Sequence, residues 1–271
     1  GLDDFTEIIA HVKDDKADRF SSKDEMLDFA RAAVAGAEGR LDQWFGIKPT
    51  RTVVVEPYPD YQEGTGVSSR YEPGSKDRPG VYRINRDQPQ KSSRGGAEIV
   101  AFHEAYPGHH TKIAIPQDRD DLHRITGIVF YSGFGEGWAR YSEALAEEMG
   151  LYQTTTALIS RRAWPARGMV VDPGLHLMGW SRDKARRFMG ESGRFSPEQL
   201  DQMVDRIAIL PGQLTSYDSG ALEIVALRRE AEKALGEDFD IREFHDRVLE
   251  NGTVPLRLLR RHVEAWLERP Q

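Results

Sequence analysis

The sequence predicts a mainly α protein (α+β) with one small β-sheet, and three observations predict it. Serine- and aspartate-led capping signals each launch an apolar stripe of helical spacing. One stretch, from Thr52 to Asn85, changes to β-branched and alternating patterns. Helical periodicity then returns at Ala97 and holds almost to the C-terminus.

In order, Ser22-Lys23-Asp24-Glu25 fits a capping box: the serine hydroxyl takes the N3 amide and Glu25 reaches back. Leu27, Ala30, Val34, Ala37, Leu41 and Phe45 follow as the inward stripe, with Gly46 as the stop. Thr52 to Val55 reads as a strand ended by Pro57 and Pro59. Residues 60–80 are Gly, Ser, Pro and Tyr-rich loop with room for one strand, and Val81 to Asn85 alternates as a further strand. Ala97 to Tyr106 and residues 135–149 read as amphipathic helices. Ser196-Pro197-Glu198-Gln199 is a second capping box, with proline at the favoured N1 position. A long helix from Leu222 to Leu235 stops at Gly236. Asp240 caps the next, and Pro255 opens the last.

A chain of 271 residues can bury a sizeable core, and residues 1–271 are read as one domain. The net charge of −7 disfavours nucleic acid as a partner, which needs clustered positive charge to release counterions. The absence of cysteine excludes disulfides and thiolate metal sites, so any metal must use His, Asp or Glu. That donor set suits zinc, manganese or iron. No apolar run reaches the ~18 residues needed to span a bilayer. The compartment is not fixed. A soluble protein is expected, with export compatible with a cysteine-free chain that opens on Gly1 instead of Met.

The chemistry concentrates in AFHEAYPGHHTK, residues 101–112. His103-Glu104 begins like the zinc signature H-E-x-x-H, in which two histidines four apart lie about 40° apart round a helix and reach one metal. Pro107 stands where the second histidine belongs. It lacks an amide hydrogen and crowds the carbonyl of His103, so the helix must kink, bulge or break there. If two residues loop out, His109 takes the second ligand's place. If the helix runs on through a kink, His110 points within about 20° of His103 but two turns away. A third ligand is offered by Glu136 or Glu143, seven residues apart on one face of the next helix. Two His and one Glu with an open position is the catalytic zinc pattern, with Glu104 placed to take a proton from water.

H-E-A-Y-P-G-H-H, F-G-E-G-W-A-R-Y-S-E, V-V-D-P-G-L-H-L-M-G-W and P-G-Q-L-T-S-Y together resemble the bacterial family of unknown function 885, from about Tyr58 to the C-terminus. That family is similar in turn to the helical zincins, which include carboxypeptidase Taq, thimet oligopeptidase and angiotensin-converting enzyme. The resemblance implies a zincin-like helical domain with its small sheet before the metal-binding helix. It implies His109 as the second ligand, through Gly108-His109, and Glu136 as the third. It also implies a chain that forms the C-terminal half of a longer protein, whose N-terminal half is a partner. The activity implied is zinc-dependent hydrolysis of a peptide or small amide, with one zinc or another divalent metal bound. The alternatives are a non-peptide amide or ester hydrolase, and a zincin-fold binding domain without metal. In the zincin fold an edge strand pairs with extended substrate, which would be Val81 to Asn85 and would bring Tyr82 to it. Tyr217 or His176 would donate to the carbonyl oxygen in the transition state. Arg167 would bind a terminal carboxylate. Plainer readings stand beside these: His176 as a buried histidine with a partner, and Arg167 as a structural ion pair.

Overall fold

A computed structural model describes residues 5–127, 129–163, 166–193 and 195–268 of the chain. After a first helix, α1 (Phe5–Asp14), the Ser22 hydroxyl accepts the Glu25 amide at 3.1 Å and starts α2 (Lys23–Glu38). Glu25 reaches back to the amide and hydroxyl of Ser21, one residue earlier than a strict capping box. The helix ends well before Gly46. A short 3₁₀ turn, Leu41–Gln43, then carries Leu41 and Phe45 into the core that Leu27, Ala30, Val34 and Ala37 began.

Three strands follow: β1 (Val53–Pro57), β2 (Arg70–Glu72) and β3 (Gly80–Ile84), in the order β1–β3–β2. The strand expected at the edge is therefore the middle one. β1 runs parallel along one side of it and β2 antiparallel along the other, so both its hydrogen-bonding edges are used. Tyr82 is only 1% exposed and packs in the core, which corrects its reading as a substrate-binding residue. The alternation of β3 reports a strand packed with Gly80, Tyr82 and Ile84 inward, and says nothing about which neighbours flank it.

The rest is helical: α3 (Arg94–Glu104), α4 (His109–Gln117), α5 (Ser132–Glu148), α6 (Thr155–Ala163) and α7 (Ala166–His176). Then come α8 (Arg182–Gly190), α9 (Pro197–Ile209), α10 (Gln213–Leu235), α11 (Ile241–Leu249) and α12 (Leu256–Leu267). The Ser196–Gln199 capping box forms in full, and Asp240 caps α11 as its sequence predicts. α10 starts at Gln213 instead of Leu222. Gly212, at φ 81°, turns the chain out of α9, and the Asp172 carboxylate accepts the amides of Gly212 and Thr215 at 2.9 and 3.2 Å.

α5 and α10 cross closely at Gly137 and Gly220. A Cβ on Gly220 would lie 1.8 Å from the Gly133 carbonyl oxygen, so only glycine fits there. The main core joins α2, α3, α4, α5, α10, α11 and α12 to the sheet. A smaller cluster joins α7, α8 and α9 to Leu214 of α10. No helix among the described residues is long and apolar enough to cross a membrane.

Candidate metal centre

The break that Pro107 predicts lies between α3 and α4. α3 ends at Glu104, the Tyr106–Pro107 peptide is cis, and a new helix begins at His109. Gly108 is required by close approach, since a Cβ there would sit 1.9 Å from the His103 carbonyl oxygen. Helix α5 takes up the exposed backbone of the break: Trp138 Nε1 and the Ser142 hydroxyl both donate to the Pro107 carbonyl, at 2.9 and 3.2 Å. This fixes α5 against the break and sets the register of Glu136 and Glu143.

The result brings His103, His109 and Glu136 together. Glu136 Oε2 lies 3.5 Å from His103 Nε2 and 3.5 Å from His109 Nε2. The two imidazole rings stand 4.8 Å apart and nearly perpendicular, at 86°. His103, Glu104 and His109 also offer ligand atoms within 4.8 Å of one another. His103 Nδ1 is 2.9 Å from Glu143 Oε1, so its proton points at Glu143 and Nε2 is left for the cluster. Arg140 pairs with Glu143 in turn and, at 2.9 Å, with Asp218.

Burial disfavours charge on every member, and the partners decide the outcome. On His103, hydrogen bonds to Glu136 and Glu143 outweigh burial and raise its pKa to about 10. His109 has less acid beside it and Lys112 nearby, so burial wins and lowers it to about 3. Glu136 stays well below the usual carboxylate range because its bonds to both histidines outweigh burial. Burial raises the Glu104 carboxyl to about 6, opposed by the His103 charge and by the Tyr71 amide, which donates to Oε2 at 2.7 Å.

The donor set fits a divalent cation. Glu136 Oε2 is buried with its two imidazole neighbours at 3.5 Å, the outer limit of a hydrogen bond, and a buried carboxylate oxygen so weakly held needs an explanation. A tetrahedral ion with bonds of about 2.0–2.1 Å holds its ligand atoms roughly 3.4 Å apart, close to the spacing around Glu136 Oε2.

His110 does not join the cluster. It is 0% exposed, its Nε2 donates to the Arg51 carbonyl at 3.0 Å, and its Nδ1 accepts from the Tyr71 hydroxyl at 2.9 Å. Starting α4 afresh at His109 turns the next residue towards the sheet, so His110 is corrected to a core histidine. Tyr217 does join: its ring stacks 6.0 Å from that of His103. His176 does not. Its Nε2 donates to the Ile207 carbonyl at 2.9 Å and lies 3.7 Å from Asp172, tying α7 to α9. Arg167 is likewise elsewhere, over the Phe188 ring and paired with Glu191 at 2.9 Å.

The cluster opens into a cavity of about 540 Å³, a size that holds small ligands. The edge strand β2 and its flanks line one wall, with Phe130, Arg206, Gln213 and Tyr217 on others. Among the cavity residues that sequence reasoning missed, Lys112 and Arg206 carry charge. Lys112 is 0% exposed, its Nζ has no hydrogen-bond partner, and burial lowers its pKa to about 8 against the pull of Glu136 and Glu104. It stands three residues after His109 on the same helix, and the polar turn His109-His110-Thr111 gives no sign that it is buried. Arg206 comes from α9, and no motif marked it.

A solved structure described as "putative lipoprotein" from Colwellia psychrerythraea is similar over 97% of this chain, at 30% identity and a TM-score of 0.91. A second, described in the same words, from Shewanella oneidensis, matches 96% of the chain at 20% identity and a TM-score of 0.80, which speaks to the fold alone. The chain spans about half the length of each, 47% and 49%. No curated protein matches it. Matched from residue 1 to residue 263, the chain belongs to the family described as Bacterial protein of unknown function (DUF885).

Proposed function

We propose that this protein is a metal-dependent hydrolase of the zincin type, acting on a peptide or small amide. The observation that carries the reading is one carboxylate oxygen, Glu136 Oε2, set 3.5 Å from two imidazole nitrogens beside a second, protonatable carboxylate. His103, His109 and Glu136 would hold the ion. When bound, a zinc ion supplies a Lewis acid for a carbonyl oxygen and brings a water's pKa to about 7.

The chain's own residues do the rest. Glu104 takes a proton from the attacking water and passes it to the leaving nitrogen, a role suited to a carboxyl with a pKa of about 6. The Tyr71 amide holds Oε2, which leaves Oε1 for the proton. Glu143 orients His103. Tyr217 and Lys112 stand beside the cluster, where negative charge on a carbonyl oxygen needs a donor. Pro107 lies in the break that delivers His109. The same groups would cut an ester, so peptide and ester substrates belong in one panel.

Metal content and turnover test the reading. Incubated with zinc and freed of excess, the protein is expected to keep about one ion per chain, and His103→Ala to keep none. Glu104→Gln is expected to keep the ion and lose turnover by 10²-fold or more. Equal turnover in Glu104→Gln and wild type would sink the proposal.

A further inference from the structure

Arg206 is a partly buried arginine whose side-chain partners among the described residues are neutral. Its Nε donates to Gln213 Oε1 at 3.1 Å and its Nη2 to the Tyr217 hydroxyl at 3.2 Å. The two acids of its own helix nearest to it are used elsewhere: Asp201 pairs with Arg182 and Arg186, and Asp205 with Arg182. Other cations around the cavity are matched, Arg70 by Glu72 and Arg140 by Glu143 and Asp218. Arg206 and Lys112 both line the cavity, and no ion pair holds either among the described residues. A divalent ion would balance Glu104 and Glu136, which leaves these two cations in excess. A guanidinium held by two neutral acceptors keeps donors free in a fixed plane, the geometry that receives a carboxylate.

We propose that the cavity takes substrates bearing a free carboxylate and that Arg206 anchors it. This rests on the hydrolase reading for what is then cut. The Tyr217 ring lies 6.0 Å from that of His103 and its hydroxyl accepts from Arg206, which keeps the guanidinium within roughly 12 Å of His103, a reach of about three extended residues. The carboxylate therefore belongs to a residue close to the cut bond. For a terminal carboxylate this makes the enzyme act near a chain's C-terminus, a role that Arg167 cannot fill from its place beside Glu191.

Binding tests this apart from catalysis. In the Glu104→Gln background, calorimetry would compare benzoyl-Gly-Phe as the free acid, the same compound as its C-terminal amide, and benzoyl-Gly-Asp amide. The free acid is expected to bind at least tenfold tighter than the Phe amide. Arg206→Gln is expected to remove that ratio, and Arg206→Lys to keep part of it, since charge remains without the fork. If the Gln variant does not fold, the Lys variant carries the comparison. Tight binding of the Asp amide would assign the carboxylate to a side chain instead of a terminus, with Arg206 still its anchor. Acid and amide within twofold of each other, no binding of either, or a ratio that survives in Arg206→Gln would each overturn the proposal. Failure of the hydrolase reading shows separately, as no metal and no turnover in the wild type.

Discussion

His103 meets two carboxylates at once, Glu143 at Nδ1 and Glu136 at Nε2. With a pKa raised to about 10, its proton in the metal-free protein stabilises the fold fully below the unfolded value of about 6.5, and that contribution is lost as pH rises through about 10. A metal must displace this proton. Zinc binding at pH 7–8 is therefore expected to release about one proton per ion, measured by titration calorimetry in buffers of different ionisation enthalpy. Affinity should climb with pH towards 10, by up to about tenfold per unit. No proton release would show that His103 is not a ligand. Glu143→Gln takes away one of the two acids and the orientation of the ring, so a loss of 10–100-fold in zinc affinity is expected in the same titration. Much of this was legible: His103, Glu104, Glu136 and Glu143 stand out by spacing and His109 stood as one of two candidates, although the five come from three helices. Lys112 and Arg206 did not stand out. A buried lysine looks like any other in a sequence, and an arginine's lack of an acid partner exists only in three dimensions.

Capped helix starts were the most legible elements, because a side-chain cap is local chemistry. Ser22, Ser196 and Asp240 each start a helix where predicted. Strand order was not legible: placing β3 between β1 and β2 depends on how residues 58–79 travel, which alternation does not encode. The choice between His109 and His110 turned on whether the helix restarts at residue 109, and Gly108 allows that by bringing its backbone against the His103 carbonyl. The contact between α5 and α10 supports the site from behind, and it depends on glycine. Gly220→Ala would set a methyl 1.8 Å from the Gly133 carbonyl, a clash with backbone that no side-chain rotation relieves. Overpacking of this kind costs about 1–3 kcal/mol, and the upper end is expected here. At roughly 2–4 °C per kcal/mol, the melting temperature should drop by about 6–12 °C. Tyr217, one turn before Gly220 on the same helix, should move off His103 and lower turnover as well. Leu222→Ala on an exposed position of α10 is the control, expected within about 0.5 kcal/mol of wild type. A Gly220→Ala protein as stable as that control would show that α5 and α10 are not in close contact.

At the scale of the whole molecule the cavity lies where two cores meet. His103, His109 and Glu136 stand on helices of the main core, whereas Arg206 stands on α9, in the smaller cluster of α7, α8 and α9. α10 joins them, with Leu214 packed in the small cluster and Ile224, Leu227 and Ala231 in the large one. The small cluster has seven buried residues among those described, and its polar ties to α10 run through Asp172 to Gly212 and Thr215 and through Arg206 to Gln213 and Tyr217. Fewer buried apolar contacts mean a lower free energy of local opening. Backbone amides of α8 and α9 are therefore expected to exchange with deuterium through openings less costly than those of α5 and the second half of α10. Ligands then separate the two walls. Zinc alone touches only the main core, so it should slow exchange in α3, α4 and α5 and leave α9 as it was. A carboxylate held by Arg206 spans both cores, so adding the benzoyl-Gly-Phe acid to the Glu104→Gln protein should slow α9 too, and its amide should not. Exchange in α8 and α9 as slow as in α5 before any ligand is added would mean that the two cores open as one unit, and the cavity would then be a fixed cleft instead of one whose α9 wall is steadied by what it binds.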